Sequence, residues 1–150
     1  VTEILVPLTT QTGYELMWLE ISLAVLLVTG FVLVRLGHVR AHRAIQSTIV
    51  LVNIPIVLAT MLPPYLLYGM PTSASELRQT FYLYPTLMLI GGIAAEVLGI
   101  YIILVAGTNW VPTRLRFRRY KLWMRTELAL WWLVLLAGIG TYYVWTAAFA

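Results

Sequence analysis

The sequence predicts an all-α integral membrane protein: four transmembrane helices in two hairpins, with both termini on the outer side. Three observations predict it. The 150 residues are 61% hydrophobic with a mean hydropathy of +0.86, whereas about half the residues of a soluble domain are apolar. The apolar residues gather in four stretches, each near the roughly 20 residues a helix needs to cross the hydrocarbon core. Finally, every Lys and Arg except Arg78 lies in one of two short segments, Arg35, Arg40 and Arg43 in the first, and Arg114, Arg116, Arg118, Arg119, Lys121 and Arg125 in the second. These segments join stretch one to two and stretch three to four, so they share one side. Short loops rich in Lys and Arg stay in the cytoplasm, which assigns that side.

A single domain, residues 1–150, accounts for the whole length. Span one covers residues 14–35, with Tyr14 and Trp18 as interfacial aromatics at its outer end. No basic region precedes its apolar run, and no cleavable secretory signal is expected. Span two, residues 44–68, contains Pro55, Pro63 and Pro64. Each proline removes a backbone donor and crowds the preceding turn, so a kink near Pro55 and irregular helix at residues 61–65 are expected. The polar outer loop, residues 69–80, is rich in turn formers, and Ser75 is placed to cap a short helix there. Span three covers residues 81–106 and span four residues 127–149, with Tyr142, Tyr143 and Trp145 as an outer aromatic belt. The two hairpins read as a loose internal repeat.

Polar residues inside the spans carry the functional argument. A carboxylate at the position of Glu96, mid-span, costs at least about 2.5–3.5 kcal/mol and needs a proton or a partner. Counting in from the cytoplasmic ends at about 1.5 Å per residue puts Asn53 of span two at the same level. Gln46, Asn53 and Thr60 recur every seven residues and form one polar stripe. Glu96 is therefore expected to hydrogen-bond across to this stripe and fix helix packing. The competing reading makes Glu96 a proton acceptor or the lining of a haem or quinone pocket. The small residues of spans three and four, Gly91, Gly92, Ala94, Ala95 and Gly99 against Ala137, Gly138, Gly140 and Thr141, point to close helix packing. Glu20 is expected to reach the outer interface. Glu127 is expected to begin span four, where the helix N-terminus and neighbouring arginines favour a carboxylate.

His38 and His42, four apart, could share a helix face and present a metal or haem ligand. Their surroundings are cationic, so no metal site is expected, and His42 stays a weak cofactor candidate beside Glu96. Arg40, Arg43, Arg114, Arg116, Arg118, Arg119 and Lys121 fit contact with anionic lipid head groups or a partner subunit. The second segment, with cations and aromatics interleaved, reads as an interfacial amphipathic stretch, not a nucleic-acid site. The absence of cysteine excludes disulfides and thiolate chemistry. There is no nucleophile triad, phosphate-cradling glycine loop or zinc signature, and no enzyme is expected.

Gly30, Arg35, Gly37, His42 and Arg43 form a pattern of Gly, a basic residue, Gly, and a His-Arg pair opening the second helix. This resembles the YozB/CtaM-type family, a domain of unknown function whose bacterial members are four-helix membrane proteins linked to cytochrome oxidase maturation. Arg125, Trp131, Gly138 and Tyr142 fall where that family carries Arg, Trp, Gly and Tyr in its last helix, and the likeness covers nearly the whole chain. Where the family has further histidines, this chain has Gly69, Gly91 or Gly92, and Tyr120. The resemblance implies a bacterial inner-membrane protein whose scaffold is kept and whose ligand chemistry has largely gone. The expected role is a non-catalytic accessory subunit or assembly factor of a respiratory electron-transfer complex, with membrane lipids and other membrane subunits as partners and no resident cofactor. The alternatives are a haem- or quinone-binding electron-transfer protein and a small oligomeric transporter.

Overall fold

The computed structural model describes the backbone of residues 2–149 and the side chains of residues 13–148. Four helices dominate it: α1 (Thr2–Arg35), α2 (Val39–Gly69), α3 (Thr80–Gly107) and α4 (Tyr120–Phe149). All four are long and apolar enough to cross a membrane, and no strand occurs among the described residues. α1 pairs with α2, α3 with α4, and α1 also with α4. The connections α1–α2 and α3–α4, carrying the cations, lie at one end of the bundle, and the 70–79 loop at the other. The core gathers Leu23 and Leu27 of α1, Ile49 and Val50 of α2, Ala95 of α3, and Trp131 and Leu135 of α4. Large apolar side chains such as Val25, Ile90, Val97 and Leu136 point outward and are exposed.

Three helices run further than the sequence expects. α1 starts well before residue 14, α2 at Val39 instead of residue 44, and α4 at Tyr120 instead of residue 127. The reason is common to α2 and α4: a cationic segment ends the apolar run but not the helix, because Lys and Arg are good helix formers and only a cap or breaker stops the backbone pattern. The true stop after α1 is Gly37, whose φ of 85° is the left-handed conformation that glycine adopts freely. The Gly37 amide donates to Val34 O at 3.2 Å and the His38 amide to Leu33 O at 2.9 Å, the paired bonds of a Schellman turn. α2 begins two residues later.

α2 is irregular, as its prolines lead one to expect, but the irregular turns flank the expected stretch, and Leu62–Pro64 within it is α-helical. Regular helix continues past Pro55 to Ile56, then widens into π-helical turns at Val57–Met61 and Tyr65–Gly69. Beside the break, α2 meets α3 around Asn53 and again near its end, but hardly between. In the 70–79 loop the cap is not Ser75, whose side chain makes no capping bond. Ser73 Oγ instead accepts the Glu76 amide at 3.3 Å, while Glu76 Oε2 accepts the Thr72 amide at 2.7 Å and its hydroxyl at 2.9 Å. Those bonds from Thr72 hold the Glu76 carboxyl below its ordinary pKa.

Candidate functional site: buried carboxyls around a lateral groove

α2 and α3 bring Asn53 and Glu96 to one level, as the depth count expects. Asn53 Nδ2 donates to Glu96 Oε1 at 2.5 Å, and the Asn53 side chain is buried. The rest of the stripe disperses. Gln46 turns to α1, where its Nε2 would lie 2.8 Å from a Cβ at Gly30. Thr60 donates to Ile56 O of its own helix at 2.6 Å. A seven-residue repeat drifts around a 3.6-residue helix, and the π turn at Val57–Met61 adds a further offset, so a heptad column on paper does not stay one face.

Glu20 and Glu127 correct the sequence reading. Because α4 begins at Tyr120, Glu127 lies about two turns inside the helix. It is buried, and its Oε1 accepts from Trp131 Nε1 at 2.8 Å instead of pairing with arginine. Glu20 does not reach an interface but is only 7% exposed. Each acid is received by a glycine of another helix. A Cβ at Gly99 of α3 would come within 2.7 Å of Glu127 Oε1, and one at Gly138 of α4 would overlap the Glu20 carboxyl. The small residues therefore pack helices closely, as expected, and also clear room for carboxyl groups. Glu96 and Glu127 each keep a second oxygen, Oε2, buried without a hydrogen-bond partner among the described residues.

Of these groups Asn53, Glu96, Glu20 and Gly138 line a groove of about 540 Å³. Asn53, Glu96 and Glu20 supply its acidic and amide lining, Tyr65 and Trp131 aromatic walls, and Gly92 a bare stretch of α3. The groove opens sideways between α2 and α3: Leu58, Ile93 and Val97 line it and are each more than half exposed. It lies where α2, in its widened turn at Val57–Met61, makes few contacts with α3. A smaller groove of 340 Å³ lies on the α1–α4 side and also reaches Glu20.

The cations and histidines stand apart, at the basic end. Arg40, Arg43, Arg114, Arg118, Arg119 and Lys121 are exposed. Arg116 is not a free contact residue: its Nε donates to Val111 O at 3.1 Å and its Nη2 to Thr108 O at 3.0 Å and Asn109 Oδ1 at 3.3 Å, which ties the α3–α4 connection to itself. Phe117 stacks on Trp123 and meets Tyr101 edge-on, so the aromatics of the interleaved segment pack on one another and on the end of α3. His38 precedes α2, and His42 Nδ1 lies 2.9 Å from Gly30 O. A carbonyl only accepts, so Nδ1 carries the proton.

Among the described residues no three His, Asp or Glu side chains come together to hold a metal ion. At Gly69 a Cβ would meet Trp145 at 2.9 Å and Tyr65 at 3.1 Å, and at Gly91 it would meet Leu133 and Val134 at 3.1 Å, so those two positions have no room for histidine. Comparison with known protein families, curated sequences and solved structures finds no match.

Proposed function

We propose that the chain is a four-span protein of the bacterial inner membrane, both termini outside and both basic connections cytoplasmic, serving as a non-catalytic accessory subunit or assembly factor of a respiratory electron-transfer complex of the cytochrome oxidase type. The observation that carries this reading concerns the residues behind the YozB/CtaM-type resemblance. Gly30 and His42 latch α1 to α2, Gly37 turns the first hairpin, Trp131 holds Glu127, and Gly138 receives Glu20. They are parts of a scaffold, and where the family carries further histidines Gly69 is closed by packing, while of the pair Gly91 or Gly92 the first is closed and the second is open. A retained scaffold without the ligand set fits a structural partner better than a redox carrier. The exposed cations at the basic end fit anionic lipid head groups, each contributing about 1 kcal/mol near a charged surface.

Native purification tests the assignment: the tagged chain, extracted in mild detergent, is expected to co-migrate with oxidase or cytochrome subunits, and recovery without any of them ends this reading. Orientation has its own test, helped by the lack of native cysteine. In intact spheroplasts a membrane-impermeant maleimide is expected to label Ser75→Cys but not Arg118→Cys, and the reverse pattern inverts the topology.

A further inference from the structure

We infer that the groove between α2 and α3 is a binding site for a membrane-soluble molecule with an apolar tail and an uncharged ring head bearing carbonyl or hydroxyl oxygen, the chemistry of a quinone and its quinol. The inference rests on the membrane-spanning part of the proposed function and not on the identity of the complex. Three features carry it. The mouth lies midway along helices whose outer faces are apolar, with Leu58, Ile93 and Val97 at its rim, so an occupant arrives from hydrocarbon and not from water. The volume of about 540 Å³ lies in the range of small-molecule sites, roughly 300–1,000 Å³. The carboxyl and amide groups of the lining are Asn53, Glu96 and Glu20, which asks for an occupant with polar atoms to meet them.

The chemistry of the walls narrows the head. A phospholipid or fatty-acid head brings negative charge toward Glu20 and Glu96, and a charged head at that depth is costly. An uncharged oxygen-bearing head avoids both costs. Asn53 spends one amide hydrogen on Glu96 and keeps another, while Glu20 adds a carboxyl that is buried yet lines the groove. Hydroxyl or carbonyl oxygens match such partners. Gly92 supports a flat head: a Cβ there meets nothing within 4 Å, so α3 presents bare backbone to the groove that Tyr65 and Trp131 also line.

Gly92→Phe fills the groove one helical turn from Glu96, and it replaces a poor helix former at a position where a Cβ meets nothing within 4 Å, so it is expected to fold. Isothermal titration calorimetry on the purified chain in dodecyl maltoside, with decylubiquinone and its quinol as probes, is expected to give saturable 1:1 binding of at least one of them. Gly92→Phe is expected to weaken it about tenfold or more, with no fall in Tm. Phenyldecane, which has ring and tail but no oxygen, is expected not to saturate. Equal binding by wild type and Gly92→Phe, failure of both probes to saturate, equal binding of phenyldecane, or stoichiometric displacement by phosphatidylglycerol would each overturn the assignment. Because the chain is tested alone, this result is independent of whether it co-purifies with an oxidase.

Discussion

The seam between α3 and α4 is closed along its length, while the seam between α2 and α3 is open at its middle. Both are built on α3, and two consecutive glycines divide them. Gly91 faces α4, where Leu133 and Val134 leave no room for a Cβ, and Gly92 faces the open groove. At a helical 100° per residue, neighbouring positions look in different directions, so one small-residue motif serves two ends. On one side glycine permits close approach, and on the other it leaves space. The difference comes from the partner helix: α4 is regular and keeps contact with α3, whereas α2 widens at its prolines and draws away.

The sharpest way to break this contrast is to add the same side chain on each side. Gly91→Leu is expected to destabilise the bundle by about 3 kcal/mol through overpacking. Gly92→Leu is expected to leave stability unchanged or raise it by up to about 1 kcal/mol, as loss of a helical glycine allows. Thermal unfolding in detergent compares them, and equal losses would mean that α3 has no open face. Trp131→Phe probes the closed seam at its acid. It removes the one hydrogen bond to Glu127 while keeping an aromatic core, with an expected loss of about 2 kcal/mol, the cost of an unpaired buried polar group. Glu127→Ala in the same background should recover part of that loss, and no recovery would show that Trp131 acts only by packing.

The smallest effect is expected in the 70–79 loop, which ties the open seam at its far end. Glu76 has a depressed pKa relative to its ordinary 4.5, chiefly because the Thr72 amide and hydroxyl bond to its carboxylate. Its contribution to loop order is thus present above about pH 4.5 and is lost as pH falls through the lower folded value. The protection factor of the Thr72 amide, its exchange relative to the intrinsic rate at each pH, is expected to fall on acidification below that point. Glu76→Gln should lower it at neutral pH, and a variant as protected as the wild type would remove Glu76 from the loop's support.

Four long apolar helices, the existence of an irregularity in α2, and the meeting of Asn53 with Glu96 were all legible in the amino-acid order. Hydrophobic length, proline chemistry and rise per residue are local quantities, and they survive folding. Helix starts were less legible at Val39 and Tyr120, because charge marks where an apolar run ends and not where hydrogen bonding ends. Only the tertiary structure decided that Glu20 and Glu127 are interior, that Gly99 and Gly138 receive them, that Arg116 serves its own loop, and that Gly91 and Gly92 face opposite tasks. Each depends on how one helix is rotated against another. That rotation is set by side chains far apart in the chain, and periodicity within a single helix carries no record of it.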